Sequence, residues 1–91
     1  MAYTRYRAIV KVLCQECQAN VNAKRRIDTD CRRCRFLKYN NVNKLMKFTK
    51  FLHSDFPNWA WFNIYEYKKG EPGRKLASYQ KGKNEPTDDQ I

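Results

Sequence analysis

The sequence predicts a small α+β domain, and three observations carry that prediction. Four cysteines fall in two Cys-x-x-Cys pairs, an apolar stripe of helical period follows the second pair, and a segment rich in tryptophan and tyrosine then alternates with period two. Ninety-one residues make one domain with a modest core, so a cross-link would add useful stability. Residues 1–79 are assigned to that domain and 80–91 to a disordered tail.

The elements follow in order. From Tyr3 to Leu13, β-branched and aromatic residues mix with Arg5, Arg7 and Lys11, which reads as a strand leading into the first cysteine pair. The spacer Gln18 to Asp30 is polar, with Val21 and Ile27 as inward anchors of a short, exposed hairpin or loop. Asp28, Thr29 and Asp30 are capping residues just before Cys31, so a helix is expected from the second pair onward. On that helix Leu37, Leu45, Phe48 and Leu52 share one side, flanked by Val42 and Met46. The opposite side carries Arg32, Asn40, Asn43, Lys47 and Lys50 and no acid. Pro57 requires the helix to end near His53 to Asp55.

Asn58 to Tyr67 then alternates as a strand, with Trp59, Trp61, Asn63, Tyr65 and Tyr67 on one side and Ala60, Phe62, Ile64 and Glu66 on the other. Lys68 to Gly73 suits a turn, and Arg74 to Tyr79 completes a C-terminal β-hairpin. Gln80 to Ile91 holds Gly82, Pro86 and three acids with almost no apolar side chain, the composition of a disordered tail.

Cys14, Cys17, Cys31 and Cys34 are all the cysteines of the chain. Each Cys-x-x-Cys turns two sulfurs toward one ion, and two such knuckles complete the tetrahedral thiolate shell of one structural Zn²⁺. Thiol redox chemistry and an iron–sulfur cluster are rivals, but a single tetrahedral site explains two matched pairs more economically. His53 is read as a surface or capping residue, since four sulfurs already fill the shell. The apolar stretch from Ala8 to Leu13 is too short for a membrane span or a signal peptide. The expected location is therefore intracellular, cytoplasmic or nucleoid-associated, or nuclear in a eukaryote, where thiols stay reduced and available to metal.

Nineteen Lys and Arg oppose nine Asp and Glu, a formal charge of +10. Ten of the cations lie between Lys24 and Lys50, opposed there only by Asp28 and Asp30. Such clustering suits a polyanion or an acidic protein surface, although it also describes a solvated face that compensates an anionic metal centre. The candidate nucleic-acid contacts are Lys24, Arg25, Arg26, Arg32, Arg33, Arg35, Lys38, Asn40, Asn43, Lys47 and Lys50. Arginine pairs bidentately with guanine, asparagine with adenine, and lysine neutralises phosphate. Trp59, Trp61, Tyr65 and Tyr67 have two readings. They form the core face of the sheet, which a helix needs, or they stack unpaired bases or a partner protein beside Lys68, Lys69, Arg74 and Lys75. The core reading is favoured for at least one tryptophan.

The spacing C-x2-C-x13-C-x2-C resembles the first zinc module of nuclear-receptor DNA-binding domains, and CRRCRFLK with the later Val42 resembles the end of their second module. The likeness covers about thirty residues; Val21 and Tyr39 stand where the second module has cysteines. It is a likeness to the wider class of four-cysteine, treble-clef-like zinc fingers, in which a helix starts at the second knuckle. In receptor-like fingers that helix enters the major groove. The resemblance thus implies that role for Arg32, Arg33, Arg35 and Lys38.

One histidine, no glycine-rich phosphate loop and no shielded carboxylate pair leave no catalytic set, so an enzyme is not expected. The leading expectation is a small basic zinc protein that binds DNA or RNA in a regulatory or accessory role. The alternative is a zinc-stabilised adaptor or inhibitor docked on a larger protein such as a polymerase or nuclease. In its Lys, Asn and Tyr content the chain resembles accessory proteins of lytic phages. A ribosomal component would share this chemistry but carry longer basic tails.

Overall fold

The computed structural model describes residues 5–26, 30–67 and 73–89. Its elements are β1 (Tyr6–Val12), α1 (Gln15–Asn22), β2 (Arg35–Val42), α2 (Leu45–Asp55), β3 (Trp59–Glu66) and β4 (Lys75–Gln80). The strands form one antiparallel sheet in the order β2-β1-β3-β4. The α+β class and the C-terminal hairpin follow the sequence reading. Tyr3, Ile27, Asp28, Thr29 and the turn residues Lys68 to Pro72, all named above, lie outside the described residues, as do Gln90 and Ile91.

One sheet face holds the core. Ala8, Val10 and Val12 alternate along β1 and meet Phe62 and Ile64 of β3, while α2 lays Leu45, Phe48 and Leu52 across them. Each such valine, leucine, isoleucine or phenylalanine, when fully buried, stabilises the fold by about 1.5–3 kcal/mol. Phe48 meets Phe62 edge-on at 5.2 Å, and Phe62 meets Tyr79 of β4 at 5.2 Å, which ties the helix to the hairpin.

The helix expected from the second cysteine pair is instead strand β2, and α2 begins only at Leu45. Leu37 and Tyr39 pair with Val10 and Ala8, and the register slips between Tyr6 and Ala8, so Val42 also reaches the core. That slip let a strand of irregular phase imitate a helical stripe. β1 lies between two partners, and a helix in place of β2 would leave its second edge of N–H and C=O groups unmatched.

The spacer between the knuckles, expected as an exposed hairpin or loop, contains α1. Only Cys17 of this helix is buried, and Val21, expected as an anchor, is 39% exposed. The helix is held by its ends. The Cys14 sulfur accepts the Cys17 N–H at its start. At its finish Lys24 N–H bonds Val21 and Arg25 N–H bonds Asn20, with Lys24 at φ 56°, a left-handed cap usually given to glycine.

The alternation of β3 is broken by one residue. Lys11 pairs with Trp61 but Val12 pairs with Trp59, so Ala60 is the extra residue of a β-bulge. Trp59, Phe62 and Ile64 therefore face the core, and Trp61, Asn63 and Tyr65 face away. The expected face shared by Trp59, Trp61, Asn63 and Tyr65 does not form: Trp59 is 1% exposed, with its indole N–H lacking an acceptor among the described residues, and Trp61 is half-buried on the other side.

The segment read as a disordered tail is described as far as Asp89. Gln80 bridges to Asn84, Glu85 bonds His53 at 2.7 Å, and Asp89 bonds the Met46 N–H at 2.9 Å, so the segment touches α2 near both ends. Among the described residues no helix is long and apolar enough to cross a membrane.

Candidate metal centre and basic surfaces

The two knuckles meet where β1 ends and β2 begins. Cys14 leads into α1, Cys17 lies in its first turn, and Cys31 and Cys34 flank a turn through Arg32 and Arg33. Asn58 anchors the first knuckle: its backbone carbonyl accepts from the Leu13 N–H at 2.9 Å, and its side-chain amide donates to the Leu13 carbonyl. Leu13 and Ala60 pack against the cysteines, forming a small cluster apart from the main core.

The four sulfurs lie within 4.8 Å of one another. Cys14 Sγ stands 3.8 Å from Cys31 Sγ and 3.9 Å from Cys34 Sγ. Zn–S bonds of about 2.3 Å in a tetrahedron give S···S edges of about 3.8 Å, whereas a disulfide needs about 2.0 Å. The cysteines are free thiols at the spacing of a four-thiolate metal site, and zinc is the ion that this donor set suits.

Backbone donors favour the ionised form of the sulfurs. Cys17 N–H points at Cys14 Sγ and Cys14 N–H at Cys34 Sγ, each at 3.5 Å. The first of these bonds draws the Cys14 thiol from 9.0 down to about 7, against the opposing effect of desolvation. The Cys17 thiol is pushed well above its usual range, first by its hydrogen bond to Cys34 and then by desolvation, and burial raises Cys34. A bound dication supplies the attraction that lets all four ionise together.

The basic candidates do not share one face of a helix. Lys24, Arg25 and Arg26 follow α1, Arg32 and Arg33 sit in the second knuckle, Arg35, Lys38 and Asn40 lie on β2, Asn43 joins β2 to α2, and Lys47 and Lys50 lie on α2. All are exposed. Arg33 pairs with Glu16 at 3.1 Å, with both side chains largely in solvent, so the pair contributes about 1 kcal/mol at most. Lys38 and Asn40 turn to the sheet face opposite α2, where Asn40 accepts from Arg7 Nε at 3.1 Å.

Tyr65 lies on that same outer face, and Tyr67 stands just beyond β3 with the Arg5 guanidinium 3.9 Å above its ring. Trp59 does not join them. A residue the sequence reading did not single out does: Phe36, 55% exposed, beside Trp61 at 5.9 Å. The alternation Phe36, Lys38, Asn40 was the signal for it, hidden by the helical reading of the same segment.

Compared with models of protein families, with curated proteins and with solved structures, the chain has no match.

Proposed function

We propose that the chain is a small structural-zinc protein that binds nucleic acid in an accessory or regulatory role, without catalysis of its own. The observation that supports the zinc is the sulfur spacing of 3.8 and 3.9 Å around Cys14. The metal would clamp α1 and the second knuckle to the paired ends of β1 and β2, beside the small cluster that Leu13 and Ala60 form with the cysteines. The charge of +10, with the candidate cations all outward, favours a polyanion as partner.

Elemental analysis of purified protein should find one zinc per chain. Cys14→Ser or Cys34→Ser should lose the metal together with near-ultraviolet dichroism, because metal-binding free energy is folding free energy in a domain this small. A folded, metal-free wild type would end the zinc reading. For the second half, affinity for labelled DNA or RNA should fall steeply as salt rises. Absence of binding even at low salt would transfer the proposal to a protein partner.

A further inference from the structure

The outer face of the sheet is built unlike a merely solvated surface. Two rows run across all four strands, Phe36, Lys11, Trp61 and Gln80 in one and Lys38, Ile9, Asn63 and Ser78 in the next, and a third joins Arg7, Tyr65 and Lys75 of β1, β3 and β4. No carboxylate occupies any of these positions. Phe36 is 55% exposed, Trp61 and Tyr65 are partly buried with part of each side chain in solvent, and Lys38 and Lys75 stand exposed at the two edges.

We propose that this open sheet face binds single-stranded nucleic acid, with bases stacked on Phe36, Trp61 and Tyr65 and phosphates met by Lys38, Lys75 and Arg7. The inference rests on the nucleic-acid reading above and names its substrate class and surface. The rings are what separates this surface from the basic residues elsewhere. Lysine and arginine alone hold any polyanion, but flat rings exposed between them gain most from bases that are unpaired and free to splay. A duplex keeps its bases stacked inside and offers such rings nothing to cover.

The geometry suits a short extended strand. Phe36 and Trp61 adjoin at 5.9 Å, and Tyr65 lies four residues along β3 from Trp61, about 14 Å away at the rise of a strand. Between them Asn63 and Ser78, bonded to each other at 2.7 Å, place polar groups where base edges would lie. Lys11, between Phe36 and Trp61 in the same row, is buried, with its ammonium 5.9 Å from the centre of the Phe36 ring.

The test uses zinc-loaded, full-length protein with fluorescently labelled oligothymidylate, oligouridylate and a mixed-sequence duplex, each titrated at several salt concentrations. Wild type should prefer both single strands to the duplex, and binding should quench Trp61 fluorescence. Phe36→Ala and Trp61→Ala should each weaken single-strand binding about tenfold or more. Trp61→Phe, which keeps a ring, should retain most of it. Lys38→Ala should lower the salt slope by about one.

A preference for oligouridylate or for oligothymidylate would assign the natural strand as RNA or DNA, and either supports the inference. If wild type binds nucleic acid but the ring variants bind as well as it does, or if duplex binds tighter, the sheet-face assignment is overturned while the broader reading stands. If no probe binds, both fall. A Trp61→Ala protein that fails to fold leaves the quenching of wild type as the deciding measurement, and unquenched Trp61 fluorescence on saturation overturns the inference.

Discussion

Asp89 accepts a hydrogen bond from the Met46 N–H at 2.9 Å across 43 residues of chain, and so caps a helix whose own N-cap residue supplies no side-chain bond. Lys44, at the N-cap position of α2, makes no side-chain bond to the first turn, and that turn contains no acid. A carboxylate near a helix N-terminus satisfies an orphan donor and complements the helix dipole. Asp89→Ala should therefore lower stability by about 1 kcal/mol, and Asp89→Asn by less, as measured in denaturant melts. Equal melts for wild type and Asp89→Ala would show that the contact contributes nothing.

The other end of the same segment predicts a pH effect. Glu85 is held below its ordinary pKa of 4.5, first by its bond to His53 and next by the Gly82 N–H. A carboxyl with a depressed folded pKa stabilises the native state above its unfolded pKa, and that contribution is lost as pH falls through the folded value. Wild type should thus exceed Glu85→Gln in stability at neutral pH, with the difference shrinking below about pH 4.5. Comparing the two proteins at each pH removes the effect of acid on the cysteines, which both share. A difference that grows toward acid would contradict the assignment.

Trp59 and Trp61 should behave oppositely on truncation. Trp59→Ala removes a fully buried ring in contact with Phe62 at 5.4 Å and should cost about 3–5 kcal/mol. Trp61→Ala, on the outer face, should shift the melting temperature far less. Similar losses for both would mean that the bulge at Ala60 does not divide them.

Lys24 occupies a left-handed conformation that costs a residue bearing a Cβ about 1–2 kcal/mol. Lys24→Gly should relieve that strain, with the gain partly offset by glycine's greater freedom in the unfolded chain. A small rise in thermal stability is expected, and a clear fall would show that the Lys24 side chain contributes more than its backbone costs.

The legible parts of this fold were those whose signals are local. β1 announced itself by its β-branched and aromatic residues, β3 by alternation, β4 by the turn before it, and the metal centre by ligand spacing, which depends on chemistry and not on the surrounding elements. What misled was phase. A one-residue slip in β2 brought Val42 as well as Leu37 inward, positions that a helical stripe running on to Leu45, Phe48 and Leu52 had also claimed, and the slip at Ala60 moved Trp61 off the face of Trp59. α1 was hidden for a different reason: it has no apolar stripe to read, since the sulfurs and its two caps stand in for one. The nucleic-acid candidates from Arg32 onward were read along one helix, with Lys24, Arg25 and Arg26 taken from the charge of the spacer, and the strand in their midst leaves them in five parts of the chain.

Ala60 joins two features that otherwise look separate. It is the extra residue that turns one indole inward and the other outward, and it packs directly against the cysteine cluster. The sulfur centre is therefore a clamp on strand phase. If the site holds an ion, removing it would free the residue that keeps the two tryptophans on opposite sides of the sheet, and the loss of order would pass from the outer aromatic surface into the main core built on Leu45, Phe48 and Leu52.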